Sequence, residues 1–208
     1  MAGGETGSYS NKVWSSADGE NWTRHWDSTI FPRRYGHKAL SFNNKLWVLG
    51  GDVGNGYKSN DVWSSTDGTA WEEATTSAAW SARHAHATVV FDNKIWVMGG
   101  TTGSGSLRDV WYSSDGITWT EATNSAAWPA RQRPEVVVFD GKMWLMGGAA
   151  GGSTRLSDVW SSSDGITWTQ SNAAAWPARN AHQALVFNDK MWVMGGNSTD
   201  WEGPLNDI

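Results

Sequence analysis

One block of sequence recurs along this chain at an almost constant interval. The block from Asp109 to Gly148 returns upstream from Asp61 to Gly100 and downstream from Asp158 to Gly196, and a looser copy runs from Lys12 to Gly51. Three tryptophan positions recur every 48 or 49 residues: Trp14, Trp63, Trp111 and Trp160; Trp22, Trp71, Trp119 and Trp168; Trp47, Trp96, Trp144 and Trp192. A fixed period of about 20–50 residues indicates a solenoid, a propeller or another array. The units of such an array stack, because none of them buries its apolar face alone.

Each copy predicts four short antiparallel strands. An Asp-Gly turn, which favours a hairpin, lies between the two outer strands: Asp18-Gly19, Asp67-Gly68, Asp115-Gly116 and Asp164-Gly165. Two-residue turns of types that tolerate left-handed backbone join the inner strands: Asn43-Asn44, Asp92-Asn93, Asp140-Gly141 and Asn188-Asp189. The inner strands, such as Met143–Met146, are apolar on both faces, which is typical of a sheet covered on both sides. Each copy is therefore predicted to be one blade of a β-propeller.

The motifs resemble the kelch repeat over nearly the whole chain. The fourth copy has Pro177-Ala-Arg179-x-x-His182, an apolar strand and then Lys190-Met-Trp-Val-Met-Gly195-Gly196, and Asp158-Val-Trp160 with Trp168 supplies the rest of the signature. One departure is Pro134, which stands where the other copies have His37, His86 and His182. The segment 162–168 also resembles the Asp-box hairpin of sialidases, without the residue usual between Asp and Gly. The resemblance implies an all-β, kelch-type propeller.

The repeats divide the chain, taken as a single domain over residues 1–208, into three whole blades and two halves. The whole blades are predicted at residues 34–75, 83–123 and 131–172, and residues 12–25 with 179–194 are predicted to form a composite fourth blade. In that blade the strand Val13–Ser16 pairs with Met191–Met194, and the tail 195–208 is displaced. The alternatives are a section of a longer array and two copies of the chain that associate through their half-blades.

Composition excludes several kinds of function. There is no Cys among the 208 residues, which excludes disulfides, zinc–thiolate sites and the Cys-crosslinked Tyr that the copper site of the kelch-type galactose oxidase requires. The net charge of −5 gives no reason to expect a nucleic-acid partner. No apolar run approaches the roughly 18 residues of a membrane span. We expect no enzyme and no cofactor. The composition resembles that of extracellular β-proteins, although no apolar signal core begins the chain.

Candidate binding residues follow from the topology of a blade. In a meander the connections alternate between the two ends of the sheet, so one face carries the long loops after the glycine pairs and the connections with Arg34, Arg83, Arg131 and Arg179. Variation confined to one face is typical of a binding face. We therefore expect these arginines to contact a protein ligand there, or instead to stack on a neighbouring Trp. The alternative ligand is a glycan held by Tyr57 and Trp201.

Two other recurring residue types are predicted to be structural. Asp61, Asp109, Asp158 and Asp207 begin equivalent strands, and a group that recurs in every blade is more typical of a framework than of a catalytic site. The resemblance implies the same for His37, His86 and His182, because this position of the kelch repeat is commonly part of the framework, and a three-His metal site is the alternative. The sequence thus predicts a non-catalytic binding scaffold, with a carbohydrate-binding module as the second hypothesis.

Overall fold

The computed structural model describes residues 2–5, 9–25, 30–151, 154–172, 174–198, 205 and 207, and all regular structure within them is β. No helix in this described part of the chain is long and apolar enough to cross a membrane. The all-β prediction is confirmed.

Three four-stranded antiparallel sheets form the middle of the molecule. The first consists of β4 (Lys38–Phe42), β5 (Lys45–Gly54), β6 (Tyr57–Ser65) and β7 (Glu72–Thr75). The second consists of β8 (Ala87–Phe91), β9 (Lys94–Met98), β10 (Val110–Ser113) and β11 (Thr120–Thr123). The third consists of β12 (Glu135–Phe139), β13 (Lys142–Met146), β16 (Val159–Ser162) and β17 (Thr169–Gln170), with β14 (Ala149–Ala150) and β15 (Thr154–Arg155) paired in the loop before β16.

Smaller sheets flank these three. At the N-terminal end, β1 (Ala2–Glu5), β2 (Tyr9–Ser15) and β3 (Thr23–His25) form one sheet. At the C-terminal end, β19 (Gln183–Phe187) pairs with β20 (Lys190–Met194), and β18 (Arg179–Asn180) pairs with β21 (Asn197–Ser198).

The two-residue turns between inner strands have the backbone that their residues predict. Both residues of each turn have positive φ, between 47° and 67°: Asn43 and Asn44, Asp92 and Asn93, Asp140 and Gly141, Asn188 and Asp189. Mirror-image turns of this kind match the twist of the strands that they join. The face that carries these turns, together with the Asp-Gly hairpins beside them, is called the turn face below.

The inner strands of the middle sheets are buried between neighbouring sheets, as their composition predicts. Ile95, Val97 and Met98 of β9 are fully buried, and so are Met143 and Leu145 of β13. Residues of successive sheets meet in shared apolar clusters, for example Met98 with Leu145 and Leu49 with Ile95. Each sheet is thus stabilised largely by its neighbours.

The strand pair predicted for the composite blade is not formed by the residues that the structure describes. Among them, the strand that includes Val13 pairs with Ala2–Glu5 and with Thr23–His25, while Met191–Met194 pairs with Gln183–Phe187. The predicted displacement of the tail is also wrong. Asn197 and Ser198 pair with β18, and the Gly195 amide donates to the Asp207 carbonyl at 3.1 Å. These local partners close short loops, which costs less chain entropy than joining the two ends of the chain.

Candidate functional site

The four recurring arginines are buried and paired with the four recurring aspartates. Arg34, Arg83 and Arg131 are 0% exposed and Arg179 is 1% exposed. Each guanidinium donates two hydrogen bonds of 2.6–2.7 Å to one carboxylate: Arg34 to Asp61, Arg83 to Asp109, Arg131 to Asp158 and Arg179 to Asp207. Nη1 also donates to the carbonyl of the first glycine of the pair, at 2.8 Å to Gly50 in the first sheet. In the three four-stranded sheets the Arg–Asp pair therefore ties the entry of the sheet to its second and third strands.

Other groups complete this arrangement. The guanidinium carbon lies 5.7 Å from the ring centroid of Trp80 in the case of Arg83, and at the same distance from Trp128 in the case of Arg131. Burial raises the pKa of Asp61, but the hydrogen bonds and charge of Arg34 outweigh burial and leave the pKa below its ordinary value.

The prediction that these four arginines contact a ligand is corrected, because their side chains are buried and their N–H donors are used inside the sheets. The ring contacts of Arg83 and Arg131 agree with the alternative that the arginines stack on a neighbouring Trp. The recurring Asp carboxylates accept hydrogen bonds from these arginines inside the sheets.

The Asp-Gly hairpins are also built for structure. The Asp115 carboxylate accepts hydrogen bonds from the amides of Ile117 and Thr118, both at 2.7 Å, and from the Ser113 hydroxyl at 2.8 Å. The same Ser hydroxyl accepts from the Gly116 amide at 2.8 Å. Equivalent bonds recur around Asp18, Asp67 and Asp164. One oxygen of each carboxylate, Oδ1, is therefore used by the turn itself.

The histidines pack against the glycine pairs. A Cβ built on Gly100 would lie 2.7 Å from the Cβ of His86, and one on Gly196 would lie 2.8 Å from that of His182. His86 and His182 are fully buried, and neither ring has a hydrogen-bond partner in the described residues. Burial, assisted by the positive charges of Arg179 and Lys38, lowers the pKa of His182 to about 4. Within the described ranges no three His, Asp or Glu side chains are arranged to hold a metal ion, so the three-His metal alternative finds no support there.

An axial cavity of about 250 Å³ lies where the first strands of the four successive sheets converge. His37, His86 and His182 line it together with residues that the sequence analysis did not single out: Tyr35, Lys38, His84, Arg133 and Glu135. Lys38 Nζ of the first sheet reaches Glu135 Oε1 of the third sheet at 2.7 Å. Arg133 is exposed, and among the described residues its guanidinium forms no ion pair. The cavity therefore has charged side chains in its lining, is open to solvent and is shared by several sheets.

The residues at the mouth of this cavity differ from copy to copy. Between the buried Arg and the following His or Pro, the copies carry Tyr35-Gly36, His84-Ala85, Gln132-Arg133 and Asn180-Ala181. The second residue of each pair has φ between 52° and 62°. The Ala85 amide donates to the Gly36 carbonyl and the Arg133 amide to the Ala85 carbonyl, both at 2.7 Å. The backbone at these pairs is the same in each sheet, whereas the residue types differ. Variation inside an otherwise repeated motif is the sequence signal that could have revealed this site.

The loop after each glycine pair lies beside this mouth. Tyr35 pairs with Asp52 of the first loop, His84 with Thr101 of the second and Gln132 with Ala149 of the third. The rings of Tyr9, Tyr35 and His84 form a row, with centroids 4.8 Å and 5.6 Å apart. Tyr57 is 71% exposed at the start of β6, and Trp201 lies outside the described residues. These loops and the mouth of the axial cavity are called the loop face below.

Comparison with known proteins identifies the fold family. The model of the KLHDC2/KLHL20/DRC7 Kelch-repeats domain matches residues 1–207. A search of the curated proteins gave no match. Kelch-repeat domains generally serve as protein-interaction scaffolds and are typically not enzymes. The match, the repeated strands and the buried Arg–Asp pairs agree with one another, and the chain belongs to the kelch-repeat family.

Proposed function

We propose that this chain is a non-catalytic scaffold that binds a protein partner on its loop face. One observation carries the proposal: the side chains that differ between copies lie together around the axial cavity, while the turn face repeats the same turns in every sheet. A rigid framework that presents variable residues on one face is the usual arrangement of a binding surface.

The chemistry of the loop face supports a protein ligand. Tyr35 and Tyr57 supply aromatic area, His84 a half-buried ring and Arg133 an exposed guanidinium. Aromatic residues and Arg are the types that carry most of the energy in protein–protein interfaces. Glycan binding would use the same face through Tyr57, and the experiment below separates the two ligands.

The repeats supply conservative variants for a test of this face. Arg133→Ala gives the residue that Ala85 and Ala181 show at the same φ, and His84→Asn gives the residue of the fourth copy. Added to Tyr57→Ser, these changes alter the loop face without new backbone strain. The control is Ile117→Thr with Ile166→Thr. Both side chains are exposed on the turn face, and the first sheet has Thr69 at that position.

The measurement is the affinity of partners recovered with the unchanged chain and then purified. We expect the loop-face variant to weaken binding by about tenfold or more, as the loss of interface anchors does, while the turn-face variant binds as the unchanged chain does. Loss of binding in the turn-face variant alone would contradict the proposal. Retention of binding by both variants would contradict it too. Binding only to glycans, lost with Tyr57→Ser, would replace it with the lectin hypothesis.

A further inference from the structure

Contacts of two kinds recur inside the array. First, a hairpin glycine lies against the Trp of the second strand of the preceding sheet. A Cβ on Gly116 would lie 2.3 Å from the Trp47 ring, and a Cβ on Gly165 would lie 2.1 Å from the Trp96 ring. Second, the Trp after each hairpin meets an aromatic ring before the first strand edge-on, at 4.9–6.1 Å: Trp71 with Phe31, Trp119 with Trp80 and Trp168 with Trp128. Trp71, Trp119 and Trp168 are 3–7% exposed.

At the N-terminal end, no described residue provides the partner of the equivalent hairpin glycine and Trp. Gly19 has no atom of the described residues within 4 Å of a built Cβ. Trp22, the equivalent of Trp71, is 51% exposed. Within the described residues, a Cβ built on Gly68 would meet the Leu46 side chain alone. Gly68 also borders a largely apolar cavity of about 350 Å³, which Val13 lines as well. By the period of the repeat, this cavity is where the Trp of a preceding sheet would lie.

At the C-terminal end the matching half is present. Trp192 occupies the position of Trp47 and Trp96, and its Nε1 donates to the Phe187 carbonyl at 2.9 Å, as theirs do to Phe42 and Phe91. Trp192 is half-buried and Phe187 is 60% exposed, whereas the equivalent Phe42 is buried. Exposed apolar side chains beside an unpaired strand edge are an association hazard.

The missing contacts at the two ends are complementary. By the period of the repeat, Trp192 corresponds to the Trp that would occupy the cavity at Gly68, and half-buried Trp144 corresponds to the Trp that would cover Gly19. Trp176 corresponds to the aromatic ring that would meet Trp22 edge-on. The strand edges match as well. Among the described residues β1 pairs with β2 only as far as Val13, and no strand pairs with the outer edge of β20.

We propose that the C-terminal end of one copy of this chain docks onto the N-terminal end of a second copy. In the complex residues 191–193 of one copy lie antiparallel to the end of β2 beyond Val13 in the other, as residues 143–145 lie against β16 inside each copy. The pairing stops there because Ala2 pairs with Val13, and the Gly195 amide donates to the Asp207 carbonyl, within each copy. The interface repeats the contacts that neighbouring sheets already form inside the chain, in which a hairpin glycine lies against a Trp ring. The two surfaces that it joins are the two ends of this chain. Such a head-to-tail contact is heterologous, so it builds a ring or an open filament. It is separate from the loop face and does not depend on the proposed function.

The first test is the molar mass of the full chain across a concentration series, by light scattering. One chain has a mass of 22.7 kDa, and we expect a mass of two or more chains that falls on dilution. Phe187→Asp should give a folded monomer, because this ring is exposed in the single chain. Ile166→Asp is the matched control, since Ile166 is 57% exposed but lies on an internal hairpin, and it should leave the assembly unchanged.

The second test identifies the surfaces in contact. Because the chain has no Cys, Ser15→Cys and Val193→Cys provide unique sites on the two strand edges. A short bismaleimide should join the two variants to each other in a mixture, and should not join Ser15→Cys to itself. A monomer at every concentration would overturn the proposal. An assembly that survives Phe187→Asp would also overturn it. So would cross-linking that occurs only within a single chain carrying both Ser15→Cys and Val193→Cys, and never between two chains.

Discussion

Arg131 donates to both carboxylate oxygens of Asp158, from Nη1 at 2.7 Å and from Nη2 at 2.6 Å, and its side chain is fully buried. The pair joins the entry of the third sheet to its third strand across 27 residues of sequence. Breaking one partner of a buried pair leaves a charge without solvent or counter-charge, which costs far more than losing a surface ion pair.

Arg131→Ala should therefore destabilise the fold by about 3–5 kcal/mol. The measurement is urea unfolding followed by circular dichroism. Exposed Arg108→Ala is the control, and it should change stability by no more than about 0.5 kcal/mol. A variant at Arg131 that unfolds at the same urea concentration as the unchanged chain would show that the pair is not buried in solution.

Two equivalent glycines separate backbone strain from packing. Gly19 has φ of 79° and Gly165 has φ of 76°, so substitution by Ala strains both backbones equally. Only at Gly165 does the new methyl group meet the Trp96 ring. We expect Gly19→Ala to cost about 1–2 kcal/mol from strain and Gly165→Ala to cost a further 1–3 kcal/mol, approximately, from overpacking. Equal melting shifts in the two variants would contradict the contact between neighbouring sheets.

Two tryptophans at equivalent sequence positions should respond differently to truncation. Trp96 is 3% exposed and covered by the hairpin of the next sheet, whereas Trp144 is half-buried and has no such cover from the described residues. Trp96→Ala should cost about 3–5 kcal/mol, as for a buried aromatic residue, and Trp144→Ala should cost distinctly less. Chemical denaturation of the two variants, measured in dilute solution where single chains predominate, provides the comparison. The same loss in both would mean that Trp144 is also enclosed.

Acid should destabilise the fold through the buried histidines. The pKa of His182 is about 4 in the folded chain against an ordinary 6.5, because burial disfavours the charged ring. Above pH 6.5 both states are neutral and this contribution to stability is complete. As the pH falls from 6.5 towards 4 the unfolded chain binds a proton that the folded site excludes, so stability falls. The loss from His182 is roughly 3 kcal/mol at about 1.4 kcal/mol per pKa unit.

Urea midpoints measured from pH 7.5 to pH 4.5 test this expectation. His86, whose pKa burial also lowers well below its ordinary value, contributes in the same direction. The His182→Asn variant does not titrate at this position and should show a weaker dependence on pH over the same range. A midpoint that is independent of pH between 6.5 and 4.5 would contradict the burial of these rings.

The repeat unit, its four strands and its turns could be predicted from the amino-acid sequence alone. These features follow from local rules: a period near 48 residues, apolar inner strands, and Asn, Asp or Gly where the backbone must take positive φ. The sequence also marked the Asp set as structural, because Asp recurs at the equivalent position of successive copies, and the resemblance to the kelch repeat did the same for His37, His86 and His182.

The role of the arginines and the place where the variable residues meet depend on how whole sheets pack, and they became visible in the folded molecule. A charged residue in a loop that connects two sheets is expected to be exposed to solvent. The Asp158 carboxylate that pairs with buried Arg131 lies 27 residues further along the chain. The axial cavity joins side chains from different sheets, such as Lys38 and Glu135, which are 97 residues apart. The sequence likewise does not specify whether the two end sheets pair within one chain or between two chains, because the repeated interfaces are equally complementary in both cases. Long-range pairing depends on the packing of whole sheets, which a local pattern does not encode.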